Sequence, residues 1–252
     1  MRAFALVLVS GAAILAQTPP PPAKTPAKAP ATGTAAAAPA RPNPALLNPS
    51  ALKAKAPDLF RAKFVTTHGD FVVEVHRDWA PLGADRFYNL VKNRFFTDAA
   101  FFRYVPNFIV QFGLPASPAV AKAWQDAKIP DDPVTQSNKK GTLVFATAGP
   151  KTRTTQLFIN INDNAGLDPQ GFAPFGTVTE GMDVVAGLYK DYGERPDQGA
   201  ITAQGKAYLD KNFPKLDSIK SATVIFPEAA PPAKKAAPAV KKSEPATPAK
   251  KQ

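Results

Sequence analysis

The sequence predicts a mainly β domain, a closed antiparallel barrel of eight strands, set between two ends without packed structure. Eight short runs rich in Val, Ile, Phe and Thr follow one another, with Gly, Pro and Asn turns between them. Helical spacing of apolar residues is confined to a few stretches. Proline is spread very unevenly: of 28, eleven fall between Gln17 and Pro57 and six between Pro227 and Gln252.

The ends follow from that composition. Pro, Ala and Lys bury too little apolar surface to offset chain entropy, and proline also lacks a backbone donor. Residues 17–58 therefore read as a disordered Pro/Ala-rich linker and residues 227–252 as a disordered basic tail. Residues 1–16 have the order of a secretory signal: Met1-Arg2, an apolar run to Leu15, then Ala16 at the break. Export is expected, to a periplasmic or extracellular destination. The run is too short to span a bilayer permanently. Net charge is +11, yet residues 59–226 hold 19 basic and 17 acidic side chains, so most of the excess sits in the ends. Such tails read as solubilising tethers, or as straps to an anionic envelope polymer or to nucleic acid. Of these partners, nucleic acid is not expected, and the domain is expected to be a monomer.

Within residues 59–226 the elements can be placed in order. Residues 63–67 and 71–75 form a hairpin about His68-Gly69-Asp70. Pro81 pre-sets the first turn of a helix whose apolar residues are Ala84, Phe87, Leu90, Val91 and Phe95. Further strands fall at 100–104, 108–112, 142–146, 156–160 and 175–178. Met182, Val185, Leu188 and Tyr189 mark a second amphipathic helix. Residues 191–216 are an insert with a helical stretch at 202–212 ended by Phe213-Pro214. Residues 217–226 supply the last strand.

One segment stands apart chemically. The run Phe101-Phe102-Arg103-Tyr104-Val105-Pro106-Asn107-Phe108-Ile109-Val110-Gln111-Phe112-Gly113 sets one arginine and one glutamine among aromatic and branched residues. Strand side chains alternate faces, so this polarity is expected to line a pocket. Taken alone, the residues leave open an arginine ion-paired to a carboxylate at a barrel rim, a glutamine satisfying a backbone group, and phenylalanines that are plain core.

A second segment carries Ala148-Gly149-Pro150 and then Gln156-Leu157-Phe158, followed by Leu167-Asp168, Phe175-Gly176 and Glu180-Gly181-Met182. With Phe101, Arg103, Pro106, Phe108, Gln111 and Gly113, these blocks resemble the cyclophilins, peptidyl-prolyl cis-trans isomerases, over roughly residues 60–226. The resemblance implies a cyclophilin-like barrel capped by two helices, binding proline-containing peptides and unfolded protein clients without a cofactor.

It also implies roles. An X-Pro bond interconverts slowly because its nitrogen lone pair is delocalised into the carbonyl. Lowering that barrier needs a dry pocket for the ring and a donor aimed at the prolyl nitrogen. Arg103 is the candidate donor, with Gln111 orienting it and reaching a substrate carbonyl. Phe108, Phe158, Leu167 and Phe172, with Ile109 at the edge, would hold the ring. The loop Ala146-Thr147-Ala148 and Gln156 would bind the peptide backbone and the neighbouring subsite. Thr147 stands where the family usually has asparagine, Gly166 where many eukaryotic members have tryptophan, and Phe172 replaces a pocket histidine.

Other chemistries find little support. Cysteine is absent, which excludes disulfides and thiolate metal ligands, and two histidines make a transition-metal site improbable. No serine sits in a nucleophile elbow, and no glycine-rich phosphate loop occurs. Asp131-Asp132 reads as a solvated turn. The alternative class is a non-catalytic proline-peptide binding module or chaperone using the same pocket.

Overall fold

The computed structural model describes residues 42–226. The signal-like start, most of the 17–58 segment and the basic tail lie outside the described residues. Eight antiparallel strands form one curled sheet: β1 (Leu59–Thr66), β2 (Asp70–His76), β3 (Arg103–Val105), β4 (Ile109–Phe112), β5 (Thr142–Phe145), β6 (Leu157–Asn160), β7 (Pro174–Glu180) and β8 (Ile219–Ile225). Their spatial order is β3-β4-β6-β5-β7-β2-β1-β8. The Gly69 turn closes the β1–β2 hairpin, with Thr66 N and Oγ1 both donating to Gly69 O.

Alternation along the strands separates two faces. Phe60, Phe64, Phe71, Tyr104, Val110, Phe112, Leu143, Phe145, Leu157, Ile159 and Phe175 point inward into one core. Its phenylalanines meet in stacked and edge-on pairs, such as Phe64 with Phe71 at 4.8 Å and Phe101 with Phe112 at 5.3 Å. Helices α1 (Pro81–Lys92) and α3 (Met182–Gly187) lay Phe87, Leu90 and Val185 into the same core. Intervening residues of β4, β5 and β6 face outward and form a second, smaller cluster of Ile109, Val144 and Phe158. Both faces of these strands are therefore covered, which is why their residues read as continuous apolar runs.

Five features depart from the sequence reading. The barrel is not closed by a ladder: β3 and β8 end the strand order, and the seam holds only an isolated bridge between Ala100 and Ser218 with flanking backbone bonds. Asp98 N and Phe101 N donate to Ile219 O and Asp217 O there, because the chain turns at 93–98 and enters the seam irregularly. The linker reading fails for its last part. Two 3-10 turns, Pro44–Leu47 and Pro49–Ala51, pack Leu46 into the core, and Trp124 Nε1 donates to Leu46 O at 2.8 Å. Asn89 clasps Ala54 through both backbone groups, and Asp85 accepts from Ala56 N at 2.7 Å. Burial raises the Asp85 carboxyl, but Arg77 and the Ala56 N–H outweigh it and hold the group below its ordinary value.

The third departure is α2 (Pro118–Trp124), a short helix whose seven residues were too few to show a period. The fourth is in the insert, which folds as two helices, α4 (Gln198–Gln204) and α5 (Lys206–Asn212), broken at Gly205. Gly205 has φ +60, and a Cβ there would lie 2.1 Å from Ala116 O, so the close approach of the α2 entry needs glycine. Ile201 and Leu209 pack with Ala100, Phe102 and Leu114 as a separate apolar cluster.

The Asp131-Asp132 turn is only half solvated: Asp131 is exposed, but Asp132 is buried. Asp132 accepts from Leu82 N and Gly83 N at 3.0 and 2.9 Å, capping α1 where Ala80 cannot. Arg153, 3% exposed, donates to the same carboxylate through Nη1 and Nη2, both at 3.1 Å.

Candidate functional site

The site is assembled on the outer face by strand register. Arg103 of β3 pairs with Gln111 of β4, Gln111 with Phe158 of β6, and Phe158 with Val144 of β5. Paired residues share a face, so this row sets a guanidinium beside an amide and the amide beside an aromatic ring. The next row, Val105–Ile109–Asn160, continues the same surface.

The polar end is a chain of hydrogen bonds. Arg103 Nη1 donates to Gln111 Oε1 at 3.1 Å, and Gln111 Nε2 donates to Gln156 Oε1 at 2.7 Å. Gln111 is buried, with its amide oxygen accepting from Arg103 and its nitrogen donating to Gln156, so turning the amide over would break both bonds. On its other edge Arg103 meets Glu194: Nε donates to Glu194 Oε1 at 2.6 Å, and Nη2 lies 2.5 Å from the same oxygen. The ion-paired arginine left open by the residues alone is thus present, but it is not a sealed pair. The side chains are 26% and 60% exposed. One N–H on each of Nη1 and Nη2 has no partner among the described residues.

The apolar end joins Ile109, Phe158 and Leu167 with half-buried Phe108, Ala146 and Phe172, and the rings of Phe158 and Phe172 meet edge-on at 5.7 Å. Leu167 and Phe172 arrive on the 3-10 segment Ala165–Gln170 and its exit. That segment is fastened by a polar network invisible to hydrophobic patterning. Asp168 accepts from Ser137 Oγ at 2.6 Å and from Asn138 N and Nδ2 at 2.9 and 2.8 Å. Asn138 also donates to Phe172 O and accepts from Asn160 Nδ2, and Asn138 and Asn160 are fully buried. Desolvation pushes the Asp168 carboxyl up, yet the three donors outweigh it and hold it below its usual range. An asparagine closing an apolar strand, Ile159-Asn160, was the available signal, since a buried amide must find partners.

Thr147 and Ala148 stand apart from the cluster. Their loop is stapled internally: Thr147 Oγ1 meets Thr152 Oγ1 at 2.7 Å, and Ala148 N donates to Thr152 Oγ1 at 2.9 Å. Gly166 is exposed with nothing within 4 Å of a Cβ, so that side of the cluster is open. Beneath the loop, Arg86 Nη1 donates to Thr154 O and Ala127 O while stacking over Trp124 at 5.0 Å. This fixes the chain two residues before Gln156. Among the described residues no group of three or more His, Cys, Asp or Glu could hold a metal ion.

The chain is thus a curled antiparallel β protein that sets an anchored guanidinium beside an open apolar cluster. Residues 61–205 match the family model described as cyclophilin type peptidyl-prolyl cis-trans isomerase/CLD. Peptidyl-prolyl cis-trans isomerase B of Escherichia coli K12 is 30% identical over 170 residues, covering 64% of this chain and 97% of the relative. A peptidyl-prolyl cis-trans isomerase of Acinetobacter baylyi is 36% identical over 125 residues, 48% of this chain and 66% of the relative. In fold, a cyclophilin type isomerase of Cryptosporidium parvum aligns with TM-score 0.52 and 18% identity, over 68% of this chain and 99% of that one. The chain belongs to the cyclophilin-type peptidyl-prolyl cis-trans isomerase family and is an isomerase.

Proposed function

We propose that the chain turns X-Pro bonds of flexible or unfolded proteins with Arg103 as the donor, and that it does so after export, in the cell envelope. The observation that carries the mechanism is the unspent pair of Arg103 N–H groups beside the Ile109–Phe158–Leu167 cluster. In the planar amide the prolyl nitrogen has no free lone pair. In the twisted state it does, and a guanidinium held in place stabilises that state more than the ground state. Phe108, Ile109, Phe158, Leu167 and Phe172 clamp the ring and keep water away. Gln111 fixes the guanidinium, Gln156 keeps its amide N–H₂ for a substrate carbonyl, and backbone of the Ala146-Thr147-Ala148 loop takes the chain before the proline. No step needs a cofactor. A solved structure of the Cryptosporidium relative was obtained in the presence of the dipeptide Ala-Pro, which supports a proline peptide as ligand.

The test is exchange between the cis and trans forms of an X-Pro peptide, followed by NMR with the full chain at catalytic amounts. Accelerated exchange is expected. Saturable binding with exchange left at its uncatalysed rate would favour the non-catalytic binding module instead. Export is tested by the mass of the chain recovered from the envelope, expected to lack residues 1–16; an intact start in the cytoplasmic fraction would overturn it.

A further inference from the structure

Glu194 lies in the insert, outside every motif that carries the family resemblance. Its position is nonetheless built. Gly193, at φ +56, turns the chain, with Gly193 N donating to Lys190 O and Arg195 N to Tyr192 O. Tyr192 is wedged between Tyr189 and Phe213, at ring distances of 4.8 and 5.1 Å. Arg195 folds back over the Tyr192 ring and donates to Asp191 O and Tyr192 O, so its charge is directed into its own turn. Tyr104 N, on the free edge of β3, donates to Gly193 O at 3.2 Å. The turn is therefore tied to the strand that carries Arg103, and the next residue along is the carboxylate that grips it.

Both contacts of Glu194 with Arg103 fall on Oε1, leaving Oε2 without a partner among the described residues on a side chain 60% exposed. We propose that Glu194 is a specificity-determining residue of the isomerase site. It cancels the attraction of Arg103 for acidic peptides and offers Oε2 to a cation, so X-Pro segments with lysine or arginine within two residues of the proline are preferred. Reach is sufficient, since two residues span at most about 7 Å and a lysine stem adds a similar length. The chain's own ends carry this pattern as Pro-Ala-Lys at Pro22-Ala23-Lys24, Pro26-Ala27-Lys28, Pro232-Ala233-Lys234 and Pro248-Ala249-Lys250, which makes Pro-Ala-Lys the natural probe.

This rests on the isomerase reading, and the experiment separates the two. Ala-Ala-Pro-Ala-Lys and Ala-Ala-Pro-Ala-Glu peptides are compared on the full chain and on Glu194→Gln, for kcat/KM and for binding by NMR titration. The full chain should favour the lysine peptide, and Glu194→Gln should shift the ratio toward the glutamate peptide by about two- to fivefold, the scale of exposed ion pairs. The shift should lie in KM rather than kcat, persist in Glu194→Asp only in part, and shrink between about 0.05 and 0.5 M salt. A peptide ratio that is the same in both chains overturns the proposal, whether or not kcat falls equally for both peptides through looser holding of Arg103. Were the isomerase reading itself wrong, neither peptide would be accelerated, while the binding ratio would still report on Glu194.

Discussion

Replacing Arg103 separates catalysis from folding. Its guanidinium has five N–H groups, of which Glu194 takes two and Gln111 one. What remains is enough for one charge-assisted bond to a twisted X-Pro nitrogen or its carbonyl. Such bonds contribute about 1.5–3 kcal/mol, and each 1.36 kcal/mol is about tenfold in rate. Because the side chain is 26% exposed, the lower half of that span applies, and Arg103→Ala should lose about ten- to fiftyfold in kcat/KM. Arg103→Lys should fall near the alanine variant, since a point charge cannot bond Gln111, Glu194 and substrate through one planar fork. The fold should barely notice. The pair with Glu194 is exposed and worth at most about 1 kcal/mol, or about 2–4 °C in Tm for a domain this size. The assay is relaxation of a proline peptide from a cis-enriched start, run beside a thermal melt. Activity within twofold of the parent, with Tm unchanged, would refute the donor role of Arg103.

Three further outcomes follow from the structure. Leu46 is 2% exposed in the core, so Leu46→Ala should cost about 2–5 kcal/mol and lower Tm by about 5–15 °C; a change under about 1 °C would mean that the 42–58 strap is not docked in solution. Asp132→Ala leaves buried Arg153 with only the part-exposed Asp131 at 3.3 Å and Pro130 O as partners and uncaps α1, a loss of about 3 kcal/mol by chemical denaturation, which Asp132→Leu with Arg153→Met should partly restore. Asp168 is depressed in the folded chain, so its contribution is complete above the unfolded value of 3.8 and disappears as pH falls through the lower folded value. The Tm gap between the parent and Asp168→Asn should therefore be widest near neutrality and narrow as pH falls below 3.8, and a gap independent of pH would contradict the network.

Much of this was readable in the sequence, for identifiable reasons. All eight strands appear within a few residues of their expected positions because apolar and β-branched runs report burial directly, alternating where one face is exposed and continuous in β4, β5 and β6. Arg103, Gln111, Phe158 and Leu167 were singled out by polarity in an apolar run and by family motifs, and register alone brings the first three into one row. Barrel closure was not readable, since whether two terminal strands meet in a ladder depends on long-range geometry. The docked strap was missed because proline content argues against a core, while a single leucine and several backbone groups suffice to fasten a short segment. Asn138 and Asn160, and the bonds that Asp168 makes to them, escaped because buried polar partners carry no periodicity. Glu194 escaped because its place beside Arg103 is set by a turn 91 residues away.

The site lies on the convex side of the sheet, while the concave side is filled with phenylalanine. On the proposed reading, a client chain need not be threaded through an opening or presented by a free terminus, and a proline in the middle of a long polypeptide is as accessible as one in a short fragment.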